Sequence, residues 1–78
     1  MARDDVKQAF VEAFDLPPDT DVEAMEIGKD PRWDSLGHMT LIAELETRFS
    51  IALETDDVIE MTSFNSSIAI LQRHGVQL

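Results

Sequence analysis

The stretch from Ser35 to Phe49 constrains the fold of this chain more than any other. Leu36, Met39, Ile42, Ala43, Leu45 and Phe49 recur there at three- and four-residue steps, the spacing that gathers side chains on one face of an α-helix. Asp34 or Ser35 is suited to cap its first turn. Val6, Phe10, Ala13 and Phe14 repeat the spacing within 2–14, among the polar Asp4, Asp5, Lys7, Gln8 and Glu12. This predicts a first helix whose early acids suit the helix dipole and which Pro17-Pro18 ends. After Thr62-Ser63, Phe64, Ile68 and Leu71 share a face, and Gly75 supplies a left-handed stop behind Arg73-His74. Thr55-Asp56-Asp57-Val58-Ile59-Glu60-Met61 has a capping residue, early acids and room for a short helix only. Residues 19–33 show no sustained period, and Gly28 and Pro31 break them. They read as a long loop held on the core by Val22, Met25 and Ile27. The expected fold is all-α: a small four-helix bundle of three main helices and one short one, with the long loop between the first two. All of it falls in one domain, 1–78.

Size and charge narrow the function. A chain of 78 residues buries roughly 60–65% of its unfolded surface, enough for a thin core and too little for a deep, dry catalytic pocket. An enzyme acting alone is therefore not expected. Without Cys and with two isolated His, neither a disulfide framework nor a zinc centre is expected, and no metal site is assigned. Asp19-Thr20-Asp21-Val22-Glu23 imitates a calcium loop only faintly, because Ala24 stands where the sharp turn demands glycine. Sixteen acids against six Lys and Arg give a net charge of −10, which repels nucleic acid and anionic lipid and favours basic partners. No apolar run approaches the roughly 20 residues of a membrane span, and the first residues lack the order of a secretion signal. The expectation is a cytoplasmic monomer with no membrane insertion and no nucleic-acid partner.

The acids are unevenly distributed. Residues 34–60 hold Asp34, Glu44, Glu46, Glu54, Asp56, Asp57 and Glu60 against Arg48 alone, a local net of −6, whereas 61–78 has no acid. Such a block is either a solvated face or a surface that steers basic partners. Ser35 opens the helix that leads into it. A serine there serves as an N-cap, or it carries a phosphate ester that the free amides and positive dipole end of the helix would stabilise.

Asp34-Ser35-Leu36-Gly37-His38-Met39, followed by Leu41-Ile42-Ala43-Glu44-Leu45-Glu46 and Phe49, resembles the modified-serine motif and second helix of acyl carrier proteins. The likeness runs along essentially the whole chain: first helix, long loop, Asp-Ser-Leu start, Phe49-Ser50-Ile51 exit, short acidic Asp56-Asp57 helix, and a last helix entered through Met61-Thr62-Ser63-Phe64. It implies that Ser35, flanked by Asp34 and Leu36, is the attachment site of 4′-phosphopantetheine, whose thiol holds an acyl group as a thioester. The implied partners are a phosphopantetheinyl transferase drawing on coenzyme A, an acyl-loading ligase or acyltransferase, and a ketosynthase or acyl-accepting transferase. The implied pathways are fatty-acid, polyketide or other specialised acyl synthesis. Glu44, Glu46, Asp56, Asp57 and Glu60 match the family's usual contact surface.

The sequence departs from the fatty-acid-synthesis pattern at Arg32, often glycine in the family; at Gly37, where an acid is common; and at Thr40, where glutamate is frequent. Trp33 precedes the motif. These departures suggest a specialised carrier with Trp33, Leu36 and Met39 as apolar contacts beside the serine, Trp33 and Met39 being equally readable as packing residues. An aminoacyl or hydroxyacyl carrier loaded by a stand-alone adenylating ligase is the alternative within the family; outside it, a non-carrier acidic adaptor is. Asp34, Ser35 and His38 also lie within one turn. Three neighbours on an exposed helix cannot form the oriented relay of a hydrolase, so His38 is expected to lie exposed beside the serine and His74 to complement its helix end.

Overall fold

The computed structural model describes residues 2–78. Four α-helices account for its regular structure: α1 (Ala2–Ala13), α2 (Ser35–Phe49), α3 (Thr55–Glu60) and α4 (Phe64–Arg73), with one 3-10 turn at Val22–Ala24. The all-α bundle with one short helix is therefore the observed architecture, and α2 has the boundaries that its periodicity predicts. None of the described helices is long and apolar enough to cross a membrane.

Left-handed residues end the first two helices. Asp15 adopts φ 52°, which brings the Leu16 N–H to the Val11 carbonyl at 2.9 Å, so α1 stops before the prolines are reached. Ser50, at φ 54°, closes α2 in the same way, its N–H and that of Ile51 turning back to the Glu46 carbonyl. Both satisfy carbonyls that a helix end otherwise leaves open. Gly75 (φ +87°) follows α4, as its position predicts.

The core is aromatic at its centre. Phe10 is fully buried and meets Phe14, Trp33 and Phe64 at ring-centroid distances of 6.0, 5.5 and 5.3 Å, the Trp33 contact being edge-on at 83°. Leu41 and Leu45 of α2, Met61, and Leu71 of α4 complete it without solvent exposure. Gly37 lets α2 approach α1: a Cβ there would stand 2.4 Å from the Phe14 ring. Packing thus accounts for the glycine at this position.

The long loop is anchored at two of its three expected points. Val22 and Met25 are buried, but Ile27 is 43% exposed. Its backbone does the anchoring instead, the Ile27 N–H donating to the Thr62 carbonyl at 2.8 Å beside a single antiparallel bridge between Glu26 and Ser63. On α2 the buried residues are Gly37, Leu41, Ile42 and Leu45, whereas Leu36, Met39 and Ala43 are exposed. The periodic pattern had merged two stripes; only one faces the core.

Candidate functional site

Asp34, not Ser35, caps α2. Its extended backbone (φ −104°, ψ 177°) turns the carboxylate onto the helix start, where it accepts from the Gly37 N–H at 2.7 Å. Ser35 is left exposed, and its hydroxyl makes no hydrogen bond with any described residue. The first intrahelical donor is His38 N–H to the Asp34 carbonyl, so the Ser35 and Leu36 amides keep the free donors and positive dipole end that suit an anion. An unhindered hydroxyl beside free amides, on a 15-residue helix braced against the core, is chemically fit to carry a phosphodiester.

Trp33 is 4% exposed and packs as a core residue, showing only an edge to the groove beside Ser35. Its indole N–H, which can only donate, gives a 2.9 Å hydrogen bond to His38 Nδ1, which must then be the unprotonated nitrogen. His38 Nε2 carries the proton and donates to the Val58 carbonyl at 2.9 Å. The imidazole, expected to be free beside the serine, is half-buried and ties the loop end and α3 to the start of α2. An open groove of about 600 Å³ runs beside Ser35, lined by Ile27, Gly28, Trp33, Asp34, Ser35, His38 and Met39. Leu36 (79% exposed), Met39 (57%) and Ile27 (43%) leave apolar surface around the hydroxyl. Periodicity put the first two on one helical face with the core residues; the resemblance placed them beside the serine, with Met39 equally readable as packing. Ile27 was missed as a site residue, and His38, placed beside the serine as an exposed side chain, is instead held there by Trp33 and Val58; only proximity in the fold reveals this.

The loop approaching Asp34 is braced by Arg32, whose guanidinium donates to both carboxylate oxygens of Asp30 at 3.0 and 2.8 Å. These bonds hold the Asp30 carboxyl below the ordinary carboxylate range.

The expected acidic surface is smaller than the residue count implies. Asp57 is buried and faces inward. It accepts from the Glu54 N–H at 3.0 Å, from Arg73 at 2.9 Å and from His74 Nε2 at 2.7 Å. Asp57 is thus removed from the partner surface, and Glu54, not Thr55, is the N-cap of α3 in a reciprocal capping box with it. His74 is committed to the same carboxylate. Glu44 pairs with Arg48, which also reaches Glu12 across to α1. Glu46 is half-buried and accepts from the Leu53 N–H at 2.9 Å. Asp56 and Glu60 remain exposed on α3, Glu60 with a loose 3.5 Å contact to Arg73 and Asp56 with no ion pair among the described residues. No group of three or more His, Asp or Glu side chains among the described residues converges to hold a metal ion.

The bonds to Asp57 make a pH prediction. Hydrogen bonds from Glu54 N–H and His74, helped by the nearby Arg73, hold its carboxyl below the ordinary value of 3.8. A carboxyl depressed in the folded state binds fewer protons there than in the unfolded chain. Its contribution is complete above the ordinary value and is lost as pH falls through the folded value. Urea midpoints measured from about pH 6 to pH 2 should therefore fall steeply for the parent protein. For Asp57→Asn they should start lower and fall less; parallel curves would refute the role given to this carboxylate.

No family model, no characterised protein and no solved structure matches this chain.

Proposed function

We propose that the protein is an acyl carrier: a domain without catalysis of its own that bears 4′-phosphopantetheine on Ser35 and presents an acyl thioester to partner enzymes. The observation that carries this reading is the uncommitted Ser35 hydroxyl, released from capping by Asp34 and exposed at the start of α2. In the loading step Ser35 Oγ attacks the phosphorus that bears the pantetheine portion of coenzyme A. The Oγ–P bond forms as the pyrophosphate P–O bond breaks; adenosine bisphosphate leaves, and the serine proton passes to a base of the transferase, which also supplies Mg²⁺. The free amides of Ser35 and Leu36 would face the resulting diester charge. Once in place, the arm supplies a thiol that holds the acyl group. The chain's own part is to keep that attachment point rigid through the Asp34 cap and the Trp33–His38–Val58 bonds.

The test is intact mass after incubation with a broad-specificity phosphopantetheinyl transferase, coenzyme A and Mg²⁺. A gain of one phosphopantetheine group supports the carrier reading; an acidic adaptor gains nothing.

Partner docking falls to Asp56 and Glu60 on α3, with Leu36 and Met39 as apolar contacts. Asp56→Lys should lower kcat/KM for a partner enzyme by about tenfold at low salt, the lower end of electrostatic steering. The difference should shrink as salt screens it. Equal rates for the two proteins at low ionic strength would sink the docking role.

A further inference from the structure

The groove beside Ser35 is a preformed surface whose two rims come from different parts of the chain. One rim is Ile27 and Gly28, fixed through the Ile27–Thr62 hydrogen bond and the Glu26–Ser63 bridge to the entry of α4. The other is Met39, one turn along α2 from the serine. Trp33 forms the floor. Its ring is clamped by Phe10 and Phe14 at 5.5 and 5.3 Å and by its bond to His38 Nδ1, so the floor cannot swing away without breaking core contacts. Both nitrogens of His38 are engaged, and the imidazole therefore adds a wall rather than a free polar group. Ile27 and Met39 nevertheless keep 43% and 57% of their surface in water.

On the carrier reading, we propose that this groove seats the arm carried by Ser35, with Ile27, Met39 and Trp33 against the gem-dimethyl segment that follows the phosphodiester. The apolar rims match the one branched hydrocarbon unit of an otherwise polar arm. Ser35 itself lies in the lining, so the ligand is tethered at the mouth of its own site. Docking is then intramolecular, and a short flexible tether supplies an effective concentration in the millimolar range. A weak, open surface suffices, and its openness lets the arm leave for a partner.

The experiment compares apo and holo protein by NMR, the holo form made with transferase, coenzyme A and Mg²⁺ and its conversion verified by intact mass. Trp33 is the sole tryptophan, so its indole N–H gives one unambiguous signal. The expected result is a shift of that signal and of the Ile27 and Met39 methyl signals, with cross-relaxation between the gem-dimethyl protons and the Met39 methyl. Ile59, exposed on α3 outside the groove lining, should not move. In Ile27→Asn, read only after mass shows full conversion, the Trp33 shift should fall by at least half. Full conversion with changes confined to residues 34–36 would overturn the groove proposal and leave the carrier reading standing. Changes at Ile27 and Met39 that arise only after an acyl group is loaded would overturn it in favour of cargo as the occupant. No gain in mass would overturn the carrier reading and, with it, the occupant.

Discussion

On the carrier reading proposed above, Ser35→Ala should gain no mass under conditions that convert the parent protein, and it should stay folded while doing so. The two halves of this result have separate causes. Loss of modification is absolute because the attacking oxygen is gone. Retention of the fold follows because the serine side chain is exposed and makes no hydrogen bond, while the cap belongs to Asp34. Alanine is also the best helix former. A surface change of this kind stays within about 0.5 kcal/mol, roughly 2–4 °C in Tm for a domain of this size. Asp34→Ala should do the reverse. Removing the carboxylate from the Gly37 N–H costs about 1 kcal/mol, which lowers Tm by about 4–8 °C, yet the hydroxyl remains and the mass gain with it. Intact mass and thermal melts on the same two variants therefore separate the attachment point from the cap. A Ser35→Ala protein that still acquires the arm would move the site to another hydroxyl.

The parts of this design legible in the sequence are those encoded by local rules. The extent of α2 followed from the spacing of its apolar residues and from the cap before it. The stop after α4 followed from Gly75. What was not legible depended on which of two apolar stripes a neighbour covers. Leu36, Met39 and Ala43 have the same spacing as core residues and differ from Leu41 and Leu45 only in the direction they face. Charge was misleading for a similar reason. Asp56 and Asp57 are adjacent acids, yet the first is exposed and the second turns inward to Arg73 and His74, partners 16 and 17 residues away. The roles of Trp33 and His38 depend on a contact between a loop end and a helix face, which no periodicity reports. Ser35 was the converse case: sequence left it as cap or attachment point, and the Asp34–Gly37 bond assigns the cap to its neighbour.

Phe10→Ala should cause the largest loss of stability. Phe10 has no exposed surface, and its ring touches α1 through Phe14, the loop end through Trp33 and α4 through Phe64. Truncating such a residue costs about 3–5 kcal/mol, because the surrounding rings, packed on one another, collapse only partly into the space. A domain of 78 residues has roughly 4–12 kcal/mol in total, and a net charge of −10 works against the compact state. With a urea slope of about 1 kcal/mol per molar, the midpoint should fall by roughly 3 M or more, which leaves the variant little or no stability at physiological temperature. Added salt should raise both proteins by screening like charges. It should not close the gap between them, because a cavity is not an electrostatic defect. A decrement below about 1 kcal/mol would mean that the rings close over the missing one. Since Trp33 is both a neighbour of Phe10 and the floor of the groove beside Ser35, loss of this packing should also release the indole from His38. The rigidity of the start of α2 around Ser35 thus rests on a ring one layer beneath it.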